Sequence, residues 1–529
     1  MSMSTRTPVF KDHPIAALAV ICLSVFVVSV DATIVNVALP TLSRELDADT
    51  AQLQWIVDAY TLVMAGLMLS AGSLADRFGR RGFLSGGLVL FAVTSTVAAQ
   101  VNTADGLIWA RAAMGVGAAV IFPATLALIT NIFTQPAQRA KAIGLWAAMV
   151  GVGVAVGPIS GGWLLEHFDW GSIFLVNLPI AAVAVIAGWL FIPTSRDPAT
   201  PPIDFVGLIL SAVGVTALVY TIIEAPNYGW TGGHTISGFA LAAVVVAAFI
   251  WWEQRRDHPM LDLSVFRDRR FSGGSLAITA GFLTLFGFIF VITQYFQFIK
   301  GYSAFETGVR LLPVAASIAI ASIVGPRIVE WIGTTIVVAG GLAIFGAGLG
   351  WAATVNAGTP YLEIAAQMVL LGAGLGLTTA PGTEAIMGSL SADKAGVGSA
   401  VNDTTRELGG TLGVAIIGSV FASIYSGRLA DAPAVQALPE ATRAVMGESM
   451  AAAQQVIAQL PPAIAPAVHN AVESAFLDGQ WIGSLVAAGI ALTAAVVVAA
   501  LLPARARQTV PTATEIEQGK VTVQPCAGS

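Results

Sequence analysis

Apolar residues run in long blocks along this chain, broken at near-regular intervals by short polar stretches. Windows of about 20 apolar residues, the length that spans a bilayer as helix, fall at 15–39, 52–73, 84–101, 107–130, 142–164, 173–193, 204–224, 236–253, 272–299, 307–329, 334–355, 361–387, 396–425 and 480–502. These fourteen windows predict an all-α membrane protein. The first is too long for the apolar core of a signal peptide and has no small-residue cleavage site, so it is read as a retained span.

Composition sharpens this reading. Only 11% of the 529 residues are charged and 56% are hydrophobic, against about 25% charge in ordinary soluble domains. Two cysteines, Cys22 and Cys526, make no disulfide framework. A net charge of −6 without a basic block points to no nucleic-acid partner. His13, His167, His234, His258 and His469 lie in tails or loops without ligand spacing, so no metal site is expected. The absence of a GxxxxGK[ST] motif argues against an ATP-driven pump on this chain, and enzyme chemistry has no support.

The basic residues alternate between loops. Arg77, Arg80 and Arg81 follow the second span, Arg139 and Lys141 the fourth, and Arg255, Arg256, Arg267, Arg269 and Arg270 the eighth, while the intervening loops 100–105, 165–172 and 225–235 carry none. The positive-inside rule then puts these loops and both termini in the cytoplasm. The segment 426–479 falls outside, with apolar residues at helical spacing through 441–460; it reads either as one or two surface helices or as a loose loop. The tail 504–529 reads as disordered.

A faint repeat relates GSLADRFGRR (72–81) to PRIVEWIGTT (326–335), with Asp76 matching Glu330 and Gly79 matching Gly333. It divides the chain into a tail (1–14), a six-helix bundle (15–193), two inserted helices with a basic loop (194–271) and a second six-helix bundle (272–503). Paired bundles around a midplane site are a common transporter plan.

Charges inside apolar runs are the candidate chemistry, because each costs roughly 2.5–3.5 kcal/mol at the bilayer centre and must face a partner or a cavity. Asp31 lies in the first span and Arg111 in the fourth, and each is the other's nearest candidate partner in kind. Burial favours the neutral acid and a fixed guanidinium favours the carboxylate, so a site between the two can bind and lose a proton; a permanent ion pair locking two helices is the other reading. Asp58, near the outer end of the second span, reads either as an interfacial acid or as a residue for coupling or for the substrate cavity. Asp403 and Glu407 share a helix face, with Arg406 beside them, and read as candidates for proton coupling or substrate contact or, equally, for an inner gate. Glu384, Phe286 and Tyr295 are candidates for lining a substrate cavity. Gly153, Gly157 and Gly161 recur every fourth residue and form a groove for another helix, with Pro158 bending it. The expected place for that groove is the seam between the two bundles.

Four motifs in order carry a resemblance. Gly72, Leu74, Asp76, Arg77, Gly79, Arg80 and Arg81 follow span two; Arg111, Gly115, Gly117 and Ala119 lie in span four; Gly153, Gly157, Pro158, Gly161 and Gly162 lie in span five; Asp31, Asn36, Ala38, Leu39 and Pro40 lie in span one. The chain resembles the fourteen-span drug:proton antiporter branch of the major facilitator superfamily from about residue 15 to 505. Met114 and Gly171 depart from the branch's usual glutamine and arginine, while SIFLVNLP (172–179) matches it. The resemblance implies a monomeric exporter of lipophilic, often cationic compounds in a bacterial inner membrane, driven by protons without a cofactor. In that family the loop at 72–81 gates the cytoplasmic side, and Asp31 with Arg111 would handle the proton. Export of a single metabolite, lipid or siderophore is the alternative within transport; a non-transporting sensor or scaffold is the alternative outside it.

Overall fold

The computed structural model describes residues 13–195, 204–256, 259, 261–390 and 395–503, and all of their regular structure is helical. The long helices are α1 (Pro14–Glu45), α2 (Thr50–Phe78), α3 (Arg80–Ala98), α4 (Ala104–Ile132), α5 (Pro136–His167), α6 (Ser172–Phe191), α7 (Phe205–Tyr228) and α8 (Gly233–Glu253). They continue as α9 (Arg269–Ile299), α10 (Ala304–Ile332), α11 (Thr334–Ala352), α12 (Tyr361–Met387), α13 (Ala395–Asp431) and α14 (Ala465–Leu501). Thirteen helices among the described residues are long and apolar enough to cross a membrane. α2, of 29 residues, lies packed among them along α4, so the arrangement is consistent with the fourteen crossings expected. Large apolar side chains such as Trp331, Leu362 and Trp109 stand exposed on the outer surface, where lipid replaces water as the solvent.

The helix ends follow local chemistry. Asp49 and Gln52 form a reciprocal capping box at the start of α2, and Ser303 with Glu306 forms another at α10. Asp204 caps α7 and Asp268 caps α9 through their carboxylates. Gly79 and Gly333 are each a one-residue joint between consecutive helices, at φ +116° and +87°. A side chain is strained at such angles, so glycine permits the abrupt reversal. The two matched glycines of the sequence repeat thus have the same structural role.

Helix pairing repeats with an offset of eight. α1 packs on α5 as α9 packs on α13; α2 on α4 as α10 on α12; α3 on α4 as α11 on α12; α3 on α6 as α11 on α14. The pairings between the two sets obey the same offset, α2 on α13 and α10 on α5. α7 pairs with α8 and also lies against both α2 and α13, where Leu62, Val219, Ile222, Ile223 and Ala415 bury together. One of the two inserted helices therefore covers the α2–α13 seam from the side.

Residue 13, the described loop residues 254–256 and 261–268, and residue 503 lie on one face of the bundle, the near face, since α1 and α9 run together from it to the Val37–Gln297 contact and Leu502 meets the start of α11; the far face carries 432–464. Among the described residues, side-chain hydrogen bonds joining the two sets gather toward the far face. Gln297 donates to the Val37 carbonyl at 2.8 Å, and Gln54 donates to the carbonyls of Val414 and Ala415 at 2.9 and 3.1 Å. The short helices Pro433–Gln436, Glu440–Glu448 and Met450–Gln459 cap this face. Thr50 donates to the Glu448 carbonyl at 2.9 Å, Ser43 lies 3.3 Å from the Ser449 hydroxyl, and Tyr425 donates to the Met446 carbonyl at 3.1 Å. The cap therefore ties α1 and α2 to α13.

The segment expected at 426–479 is shorter and more regular than its sequence suggested. α13 runs on to Asp431, and α14 begins at Ala465 rather than near residue 480. The added turns of α14 bury Val468, Val472, Ala475, Phe476 and Gly479, an apolar stripe at helical spacing that the hydropathy windows missed. Residues 1–12 and the tail 504–529 lie outside the described residues.

Candidate functional site

Asp31 and Arg111 meet. Arg111 Nη1 donates to Asp31 Oδ2 at 2.5 Å, and the two side chains are at most 1% exposed. The reach of Arg111 depends on how closely α4 approaches α2. Gly115, one turn on from Arg111, lies against Tyr60, and a Cβ there would fall 2.5 Å from the Tyr60 carbonyl oxygen. That closeness lets Arg111 Nε donate to the Ile56 carbonyl at 3.0 Å, while its guanidinium carbon lies 4.1 Å from the centre of the Tyr60 ring. The second oxygen of Asp31 accepts from Asn177 Nδ2 at 2.8 Å, and the same amide lies 3.3 Å from Ser95 Oγ. Asn177 opens the main part of α6, just after a turn at Val176. Five helices, α1, α2, α3, α4 and α6, thus converge on one carboxylate, and both of its oxygens are matched. Met114 is fully buried beside this cluster and brings no strong donor to it.

Asp58 has the opposite setting. It is fully buried, which removes the water-exposed interfacial reading. It sits four residues after Gln54 and three before Thr61, hence on the face of α2 turned to α13. Thr61 and Thr411 share a hydrogen bond of 2.8 Å, and Gln54 lies 3.3 Å from Ser419 Oγ, yet neither oxygen of Asp58 has a hydrogen-bond partner among the described residues. Glu407 is four residues before Thr411 on the same helix, and its carbonyl accepts the Thr411 hydroxyl at 3.0 Å. Asp58 and Glu407 therefore belong to one seam, from opposite sides. Tyr60 stands within Coulombic range of Asp31, Arg111 and Glu407. Asp403, a turn further toward the near face, accepts from Asn402 Nδ2 at 3.2 Å, and Arg406 lies 4.6 Å from the Phe282 ring.

The glycine motif of α5 has two faces, and the main one is not where the sequence suggested. Gly153, Gly157 and Gly161 pack on α1: added Cβ atoms would fall 2.7 Å from Ser29 Cβ, 2.8 Å from the Val30 carbonyl and 2.6 Å from Ile34 Cγ1. That groove is inside the first bundle. The seam to the second bundle is made by Pro158 and Gly162, which lie against the start of α10; a Cβ on Gly162 would fall 2.5 Å from the Ala304 carbonyl, and Gly308 abuts the Pro158 carbonyl. A run of glycines shows that a groove exists but not which helix fills it.

The other candidates separate. Gly72 lies against Pro123 of α4. Arg81 donates to the Ile192 carbonyl at 3.3 Å and lies 5.0 Å from the Trp189 ring, and the Arg80 amide donates to the Ser195 carbonyl at 3.0 Å. These contacts bind α3 to the end of α6, within one bundle. Arg77 is exposed, 5.9 Å from the Phe78 ring, and the side chain of Asp76 lies outside the described residues. Phe286 is half-buried, 6.2 Å from Phe282, and Glu384 is exposed. Tyr295 is not a cavity wall: it is fully buried, and its hydroxyl donates to the Asn356 carbonyl at 2.8 Å in the α11–α12 loop. Asn177, Tyr60 and Ser95 were not singled out from sequence, because a neutral polar residue in an apolar run stands out far less than a charge. Asn177 does lie within SIFLVNLP, which was a visible signal.

Comparison with known proteins agrees with this architecture. A family model described as Major Facilitator Superfamily matches residues 21–414. The multidrug efflux pump LfrA of Mycolicibacterium smegmatis is 36% identical over 495 residues, covering 94% of this chain and 97% of the pump. The methyl viologen resistance protein SmvA of Salmonella typhimurium is 34% identical, over 87% of this chain and 92% of SmvA. A solved bacterial homologue of the human lysosomal transporter Spinster, inward-facing and unoccupied, superposes with a TM-score of 0.64 at 16% identity, over 94% of this chain and 100% of that one, a likeness of fold alone.

Proposed function

The chain belongs to the major facilitator superfamily, and from that premise we propose that it is a proton-coupled exporter of lipophilic, often cationic drugs. It is a multi-pass membrane protein and a transporter rather than an enzyme. The observation that carries the coupling is the fully buried Asp31, held between Arg111 and Asn177 in the heart of the first bundle. A carboxylate kept out of lipid by five helices, between a fixed guanidinium and a side-chain amide, suits reversible protonation. The relationship to multidrug and methyl viologen resistance proteins supports the substrate class.

In this reading the near face is cytoplasmic, the membrane is a bacterial inner membrane, and the protein works as a monomer without a cofactor. The joined far face makes this the conformation closed to the outside. Transport requires the contacts of α2 with α13 and of α5 with α10 to part there while those near the cytoplasm close. Asp58 and Glu407, on the moving seam, meet substrate or a second proton. Arg111 remains charged and tunes Asp31 throughout.

Everted membrane vesicles test this. Adding a lipophilic cation to vesicles with a preset pH gradient collapses that gradient when the intact protein is present, and Asp31→Asn abolishes the response. A broad cationic panel without any response ends the multidrug reading, and an Asp31→Asn protein that couples as well as the parent ends the assignment of the proton site.

A further inference from the structure

The amide of Asn177 is fully buried, and its two ends have unlike surroundings. Nδ2 donates to Asp31 Oδ1 at 2.8 Å and lies 3.3 Å from Ser95 Oγ, while Oδ1 is buried with no hydrogen-bond partner among the described residues. An unmatched buried carbonyl is costly, and native interiors leave few such groups. Nδ2 answers a carboxylate. A carboxylic acid with its proton on the same oxygen would instead present an O–H to an N–H, a clash of two donors.

The side-chain amide resolves that clash by turning through half a rotation. Oδ1 then accepts from the carboxylic O–H, and Ser95, whose hydroxyl is both donor and acceptor, can donate to the same oxygen. Arg111 cannot adapt in this way, because a guanidinium only donates. It also remains tied to the Ile56 carbonyl and the Tyr60 ring.

We propose that Asn177 is the positioning residue for proton exchange at Asp31, its amide reading the protonation state by presenting Nδ2 to the carboxylate and Oδ1 to the acid. The proton enters from water on whichever side is open and bonds to Asp31 Oδ1. The Asp31–Arg111 pair passes from net charge 0 to +1, and release reverses the step. The titratable or charged groups facing Asp31 are Arg111 from α4 and Tyr60 from α2. α3 contributes the neutral Ser95, and α5 meets this part of α1 with glycines. The proposal rests on the reading of Asp31 as the proton site.

The test compares the parent, Asn177→Leu and Asn177→Thr by the pH profile of substrate-driven gradient collapse in vesicles, with monodispersity in detergent as the check on folding. Leucine keeps the branched shape and the number of heavy atoms, is bulkier, and loses both bonds. The bond lost to the carboxylate is the charge-assisted, stronger one, so the profile moves to alkaline pH by about one unit; threonine, which donates and accepts, restores at least half of the displacement. A well-folded Asn177→Leu protein whose profile overlays the parent's overturns the proposal. Infrared pH-difference spectra of the parent supply a readout that needs no folded variant at 177: the carboxyl band lost in Asp31→Asn is accompanied by an asparagine amide band lost with it. A carboxyl band without that partner also overturns the proposal. A parent that moves no protons with substrate, or shows no Asp31 band at all, refutes the proton-site reading itself.

Discussion

Asp31 and Asp58 are equally buried carboxylates on neighbouring helices, and the molecule treats them in opposite ways. Asp31 lies inside one bundle and has a donor for each oxygen; Asp58 lies on the seam between bundles and has none. The same contrast extends to their surroundings. Arg111 is fixed by a carbonyl and a ring, whereas on the seam Gln54 Oε1 is unmatched as well. A polar group within a rigid unit keeps its partners through every step of a cycle. One on a moving seam has partners in only some of the steps, and an imperfectly matched seam parts at low cost. The comparison teaches that the two carboxylates differ in whether their own oxygens find donors; the unmatched oxygen beside Asp31 belongs to its neighbour Asn177.

The largest effect expected is on stability. Arg111→Leu leaves Asp31 buried without its cation and lowers stability by about 3–5 kcal/mol, the range for removing one partner of a buried pair. Adding Asp31→Asn to that variant restores much of the loss, and the thermal unfolding midpoint in detergent reads both steps. Asp58→Asn removes no bonded partner and leaves the midpoint near the parent's or above it. An Arg111→Leu protein as stable as Asp58→Asn would erase the contrast between the two sites.

Function should show no such division, because transport depends on both acids. Asp58→Asn keeps the fold and lowers drug export at least about tenfold, equivalent to roughly 1.4 kcal/mol of barrier. Dye efflux from cells expressing matched amounts of protein measures it. Unchanged export would make Asp58 a passive acid and remove the seam from the transport cycle.

Much of the fold was legible because lipid requires every crossing to be long and apolar, so hydropathy alone marked the spans. Asp31 and Arg111 were legible for the same reason, since a charge in such a run is conspicuous. Asn177 and Tyr60 were not, because the bilayer tolerates neutral polar residues more cheaply and leaves no contrast to read. The burial of Asp58 depends on α7 and α13, which lie far away in sequence and close over α2 only in three dimensions. The early start of α14 was hidden because its stripe of Val468, Val472 and Phe476 is amphipathic rather than uniformly apolar.

The smallest effect expected lies where the seam reaches water. Glu448, in the far-face cap, is pushed above the ordinary glutamate value of 4.5 by burial and then by the neighbouring Asp49 carboxylate. The folded protein therefore holds this proton where the unfolded chain has released it. Folding stability from this group is fully present below the ordinary glutamate value and is lost as pH rises through the raised folded value. The group is largely solvated, so the effect on the cap's attachment at Thr50 is a few tenths of a kcal/mol at most. Hydrogen exchange at 440–459 should quicken as pH rises through that window, after correction for the intrinsic rate. Glu448→Gln should flatten the dependence, whereas a cap whose corrected exchange follows pH equally in both proteins owes the trend to another group. In that event the seam would respond to pH only through its buried acids, and Asp58 and Glu407 would have to account for it.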